Sequence, residues 1–237
     1  MSAAMATGAL RVLLTGAAGL VGQGVALACQ RSPRVANLTA LVRHPGSLNG
    51  SGSGSGSELI VPDFLRIEER QGVLSGFDAC FYCAGAPPVG TAEAEYRRVT
   101  LDTTLAVARA WAAANPQGCF LYVSGAGADA RSRLMPLRVK GETEQALQAL
   151  PVRTVMLRPG GVRPVEGTGT RHGLLKPLYW GGAPLMKLAG AIAPSLVTSN
   201  LALGQAMIAL AGREHPPATV ECADINRIAA DFRDPLS

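Results

Sequence analysis

The chain has 237 residues, 48% of them hydrophobic and 16% charged, with a formal net charge of +5. That length can bury a full core in a single domain, and the apolar share excludes a disordered protein. The 22 Lys and Arg residues are scattered rather than gathered on a stripe, so no nucleic-acid partner is expected.

In chain order, Met1 to Leu10 lacks an apolar run of signal-peptide length, which makes a cytoplasmic location the expectation. Leu10 to Leu14 reads as a strand, followed by a Gly-rich turn and a helix from about Gly19 to Arg31. Asn37 to Val42 is a second strand and Glu58 to Val61 a third. Between them, Gly50 to Ser57 alternates Gly and Ser, which cannot form the usual crossover helix and reads as a flexible loop. Phe77 to Cys83 is strand four and holds Cys80 and Cys83. Residues three apart on a strand face opposite ways, so this pair holds no metal; with five cysteines and no secretory signal, reduced thiols are expected. A long helical pattern from about Ala92 to Ala114 closes at Asn115-Pro116. Strand five is Cys119 to Val123, a helix runs from near Pro136 to Leu150, and strand six is Val152 to Leu157.

After Pro159 the alternation stops. Gly160 to Pro194 is rich in Gly and Pro and carries Arg163, Arg171, His172, Lys176, Tyr179 and Trp180. A final helix is predicted from an N-cap at Thr198 or Ser199, with Leu203, Met207, Ile208 and Leu210 packing on the sheet. The apolar region Leu185 to Ala211 is broken by Lys187, Pro194, Asn200 and Gln205, which argues against a membrane span. Strands alternating with helices predict an α/β fold, a Rossmann-type doubly wound parallel sheet of order 3-2-1-4-5-6. One domain over residues 1–237 is expected, with 161–197 as a segment on the substrate side.

Gly16, Gly19 and Gly22 stand directly after strand one and open the first helix. The first permits a tight turn, the second lets backbone approach a pyrophosphate, and the third lets helix and strand pack closely. The helix N-terminus offers unpaired N–H groups and partial positive charge to phosphates. With Ala18, Leu20 and Val21 of the same turn, these glycines make a dinucleotide site. At the end of strand two, where an acid would bind the ribose hydroxyls of NAD, the chain has Val42-Arg43-His44. A guanidinium pairs with a 2′-phosphate that a carboxylate would repel, so Arg43, with His44 beside it, predicts NADP(H) as the cofactor.

The opening Thr15-Gly16-Ala17-Ala18-Gly19-Leu20-Val21-Gly22 resembles the short-chain dehydrogenase/reductase superfamily, in its extended and atypical branch. The segments Tyr96 to Asp102, Tyr122 to Asp129 and Arg138 to Glu142 resemble NAD-dependent epimerase/dehydratase-like, NAD(P)H-binding proteins, and Leu157-Arg158-Pro159-Gly160 matches their turn near the nicotinamide. The resemblance implies that Asp63 lies near the adenine and that Ala84 and Gly85 pass along the ribose and pyrophosphate. It also implies that Lys140 bonds the nicotinamide ribose and that Pro159 and Gly160 flank the nicotinamide.

Catalysis in that superfamily uses a Ser after strand five and a Tyr four residues before a Lys. Here Ser124 and Lys140 are the catalytic candidates, but the Tyr position is Pro136, which has no proton to transfer and instead suits a first helical turn. Tyr82 and Tyr122 lie in strands and Tyr96 starts another helix, leaving Tyr179 or His172 as replacement donors. Two readings stand. One is an NADP(H)-dependent oxidoreductase or epimerase/dehydratase-like enzyme on a small carbonyl or sugar-like substrate; the other is a non-catalytic NADP(H)-binding regulator or sensor resembling NmrA-type proteins. Monomer and homodimer are both compatible with the apolar face from Leu105 to Ala113.

Overall fold

A computed structural model describes residues 8–48, 56–165, 168 and 196–232. Of the C-terminal candidates named above, Arg171, His172, Lys176, Tyr179 and Trp180 lie outside these residues.

Seven strands form one parallel sheet, and the inner ones read as continuous apolar runs because both faces are covered. They are β1 (Leu10–Thr15), β2 (Val35–Val42), β3 (Ser57–Ile60), β4 (Ala79–Tyr82), β5 (Cys119–Val123), β6 (Arg153–Arg158) and β9 (Thr219–Glu221). A separate parallel pair joins β7 (Gly161–Arg163) to β8 (Val197–Ser199). The sheet order is β3-β2-β1-β4-β5-β6-β9, the predicted order plus one strand at its far edge.

Successive side chains point to opposite faces and divide the core in two. Val12, Leu14, Phe81, Leu121 and Val155 pack with α1 (Leu20–Arg31), α5 (Asn200–Ala211) and α6 (Cys222–Ala230). Leu13, Leu41, Tyr82, Phe120 and Met156 pack with a 3-10 segment (Phe64–Leu74), α3 (Thr103–Ala114) and α4 (Met135–Gln148). Cys80 belongs to the second cluster whereas Cys83 packs against the first, so the C-x-x-C spans the sheet as its spacing predicts. Val107, Ala108, Ala110 and Trp111 of the Leu105 to Ala113 face are buried within the chain.

Four elements differ from the sequence reading. β3 begins at Ser57, inside the expected loop, because Ser57 pairs with Thr39 and their hydroxyls lie 2.8 Å apart. The 3-10 segment is an addition; it starts where Asp63 Oδ1 accepts the Leu65 amide at 2.9 Å. The long helix is interrupted: α2 (Glu93–Arg97) passes into a π-helical turn (Arg98–Asp102) before α3. There Thr103 and Thr104 donate to the carbonyls of Arg98 and Thr100 at 2.8 and 2.7 Å, back-bonding that perturbs the regular ladder.

Finally, the helix capped by Ser199 is not the last. Ser199 Oγ accepts the Ala202 amide at 3.0 Å, and Leu203, Met207, Ile208 and Leu210 are buried as expected, but β9 and α6 follow. Among the described residues no helix is long and apolar enough to cross a membrane.

Candidate functional site

The turn after β1 is built by close backbone approach. Gly16 has φ +70°, and a Cβ on it would stand 2.7 Å from the Ala84 amide nitrogen and the Cys83 carbonyl. Thr15 draws the same two segments together, its Oγ1 accepting the amides of Cys83 at 3.2 Å and Ala84 at 3.3 Å. Gly22 is tighter still, since its Cβ would sit 2.0 Å from the Gly16 carbonyl oxygen.

Gly19 is the N-cap of α1 and supplies no side-chain cap. Among the described residues the first-turn N–H groups therefore have neither an intrahelical acceptor nor a capping side chain, and they face the carboxyl end of the sheet. Gln23 secures the turn from behind, donating to the Ala18 carbonyl at 2.9 Å.

A cleft of about 590 Å³ opens from this point. Gly19, Leu20 and Val21 form one wall, and Ala84 and Gly85, past β4, form the next. Ser124, Lys140, Pro159 and Gly160 complete it, so the structure gathers nine of the sequence-selected residues around one space. Arg43, His44 and Asp63 are exposed and do not line the cleft; they follow β2 and β3 at the same end of the sheet.

The loop carrying Arg43 and His44 is held by Glu58, whose carboxylate accepts the amides of Gly46 at 2.7 Å and Leu48 at 2.8 Å. Those bonds hold the Glu58 carboxyl below the usual range. Asp63 spends one oxygen on its own cap.

A larger groove, about 710 Å³, lies at the opposite end of the strands beside Arg11, Asp78 and Arg153. Its charged groups are already engaged: Arg11 pairs with Asp78 at 3.1 Å, and Arg153 donates to the carbonyls of Arg213 and Gln117. Ligands of open parallel sheets bind at the carboxyl end, where the smaller cleft lies.

Lys140 Nζ donates to the Ser124 carbonyl, and burial lowers its pKa to about 8, with Glu144 opposing the shift. Gly125 makes room for it, since a Cβ there would stand 3.3 Å from Nζ. Pro136 occupies the first turn of α4, as its chemistry predicts.

The lysine shift has a consequence for stability. Below pH 8 the ammonium is present in folded and unfolded chains, and its burial penalty is fully felt. Between about 8 and the ordinary 10.5 the unfolded chain keeps a proton that the folded chain has shed, so stability rises with pH. The gain expected is on the order of 2 kcal/mol. Urea midpoints of wild type and Lys140→Met, measured from pH 7 to 10, should diverge in that sense; parallel curves would contradict it.

Three contributors were not selected from sequence. Tyr96 and Thr100 line the cleft from α2 and the π-turn, and their i, i+4 spacing was the available signal. Asn200 is fully buried and ties the C-terminal part to the first turn of α1. Its Nδ2 donates to the Leu20 carbonyl at 2.8 Å and to Thr168 at 2.9 Å, while Oδ1 accepts the Val165 amide at 3.1 Å.

No family model matches the chain. It is 28% identical over 156 residues to the protein fmp52, mitochondrial, of Emericella nidulans, covering 63% of this chain and 65% of that protein, under two-thirds of the relative's length. In structure it is similar to a UDP-glucose-4-epimerase from Stenotrophomonas maltophila with bound NAD and formylated UDP-arabinopyranose, with TM-score 0.65, 18% identity, and coverage of 86% of this chain and 73% of that one. It is also similar to a chain described as a 2-deoxy-d-gluconate 3-dehydrogenase from Agrobacterium tumefaciens with bound NADP, with TM-score 0.60, 17% identity, and coverage of 87% and 90%. At these identities the likeness establishes a shared Rossmann-type fold.

Proposed function

We propose that this chain is an NADP(H)-dependent oxidoreductase of the atypical short-chain dehydrogenase/reductase, epimerase/dehydratase-like kind, acting on a small carbonyl or sugar-like substrate. The observation that carries this reading is the single cleft joining the uncapped N-terminus of α1 to Ser124 and Lys140. A dinucleotide fits the residues present: Gly16 and Gly22 allow close backbone packing of the turn, Gly19 offers no side chain at the mouth of α1, and the first-turn N–H groups suit a pyrophosphate.

In this reading the first turn of α1 holds the pyrophosphate and Arg43 pairs with the 2′-phosphate of the adenosine. Ala84 and Gly85 border the ribose, and Lys140 serves the nicotinamide ribose beside Pro159 and Gly160. The bound nicotinamide supplies a hydride donor or acceptor. Ser124 and Lys140 orient the substrate oxygen within the same cleft. The residues 161–197 contribute the substrate side, within one domain.

Pro136 favours a second reading, an NADP(H)-binding sensor without turnover, because the position that holds a phenol in working relatives has no proton to give. Two measurements decide. Fluorescence titration with NADPH and NADH should show NADPH preferred, and Arg43→Ala should weaken NADPH about 10–100-fold, the worth of a charge-assisted bond, while NADH is unchanged. Equal affinities in the wild type would remove the role given to Arg43. Robust NADPH oxidation with any member of an aldehyde and ketone panel supports the enzyme; no turnover on any of them supports the sensor.

A further inference from the structure

The cleft gathers three buried hydroxyls that make no close hydrogen bond among the described residues. Tyr96 Oη, Thr100 Oγ1 and Ser124 Oγ are all buried without a hydrogen-bond partner among the described residues, and all three residues line this one cleft. Six side-chain groups share that state among the described residues, so half of them converge here. A buried unsatisfied polar group is costly, and folded proteins keep few of them unless a ligand or reacting group completes the set.

The position of Tyr96 is held rather than incidental. Its neighbour Arg97 pairs with Glu142 of α4 at 2.6 Å, and Glu93 pairs with Arg138 of α4 at 2.8 Å. Thr143 of α4 also donates to the Thr100 carbonyl at 3.3 Å. The two α4 anchors, Arg138 and Glu142, stand two residues either side of Lys140. The lacing therefore holds α2 and the π-helical turn against α4, and Tyr96 and Lys140 line the same cleft.

We infer that Tyr96 is the proton donor of this protein, standing in for the phenol missing at Pro136, and that Thr100 and Ser124 complete a recess for a substrate carbonyl oxygen. The inference rests on the carbonyl-reduction reading above. Alcohol side chains are too weakly acidic for the task, and the Lys140 ammonium is already directed at the Ser124 carbonyl. Burial raises the Tyr96 pKa, with the neighbouring Thr100 hydroxyl opposing the shift, and the phenol stays protonated at neutral pH, the state an acid needs.

In the step itself, Tyr96 Oη gives its proton to the carbonyl oxygen while the carbonyl carbon accepts a hydride from the reduced nicotinamide. The C=O π bond breaks, and one O–H and one C–H bond form. The substrate is reduced by two electrons and the dinucleotide is oxidised. The phenolate then regains a proton from solvent water.

The test compares wild type, Tyr96→Phe and Tyr82→Phe. Tyr82 Oη is likewise buried and unpartnered, but Tyr82 does not line the cleft, so it reports the structural effect of deleting such a hydroxyl. Both variants should raise Tm by about 2–4 °C, because each removes an unsatisfied buried group. Both should bind NADPH with wild-type affinity. On the carbonyl panel Tyr96→Phe should lose about 10²–10⁴-fold in kcat while Tyr82→Phe retains it.

Turnover of Tyr96→Phe within about an order of magnitude of wild type would overturn the inference. So would a fall in its Tm, since the hydroxyl would then have a structural partner. A wild type inactive on every carbonyl overturns the carbonyl-reduction reading itself, an outcome distinct from an active wild type whose activity survives the loss of the phenol.

Discussion

Gly22→Val should abolish NADPH binding and destabilise the chain by about 3–5 kcal/mol, the scale of a severe packing error. A Cβ at this position would lie 2.0 Å from the Gly16 carbonyl oxygen, 2.6 Å from its carbon and 2.9 Å from Ala17 Cα. All three are backbone atoms of the phosphate turn, so no side chain can rotate away to relieve the contact. Relief requires α1 to move off β1. That helix buries Val25, Ala26, Ala28 and Cys29 in the core, and its first turn is bonded to Asn200, so the shift propagates into packing.

For a chain of this size the expected loss in Tm is roughly 6–20 °C. Thermal unfolding and NADPH fluorescence titration together check it; wild-type values in both would refute the account. Gly19→Ala gives the contrast. Its added Cβ meets only the Gly16 oxygen at 3.3 Å, so the fold should tolerate it. Because Gly19 lines the cleft, the damage there should fall on ligand affinity.

The second large effect is expected at Arg158→Met, about 3 kcal/mol of destabilisation from a stranded buried carboxylate. Glu144 has a side chain only 5% exposed and receives two bonds from Arg158, at 3.0 Å from Nε and 2.5 Å from Nη2. The guanidinium reaches on to Glu221 of β9 at 3.1 Å, and the two carboxylates raise the Arg158 pKa. Removing the arginine strips this buried carboxyl of both hydrogen bonds that Arg158 gives it. Replacing both partners, as Arg158→Met with Glu144→Leu, should recover most of the loss, because desolvation of an ion pair and hydrophobic packing nearly balance. Urea unfolding of the single and double variants measures this directly; equal stabilities of wild type and the single variant would show that the pair contributes nothing.

This network matters beyond stability. Arg158 closes β6 immediately before Pro159 and Gly160, and Glu144 lies one helical turn after Lys140. This ion pair therefore ties β6 to α4, the elements that lead to Gly160 and carry Lys140.

What could be read from residues alone was what local chemistry dictates. The β1, glycine turn and α1 unit was legible because apolar periodicity and glycine spacing are properties of a short window, and the structure confirms each boundary to within a residue. The strand order and the first-turn place of Pro136 followed in the same way. β9 was not legible, because the three residues Thr219–Glu221 carry no period and become a strand only by pairing with β6.

The site divides along the same line. Gly19, Ser124, Lys140 and Gly160 announced themselves by motif, whereas Tyr96 was set aside as the start of a helix. Its place in the cleft depends on ion pairs from Arg97 and Glu93 to a helix some forty-five residues away, and no window of sequence contains them. Asn200 is the extreme case, bonded to Leu20 across 180 residues of chain. The sequence by itself determined the glycine turn and the βαβ repeat, and it offered the arginine on which the NADP(H) proposal rests. Only the tertiary structure decided which hydroxyls meet in the cleft, because contacts between distant segments are set by packing and not by propensity.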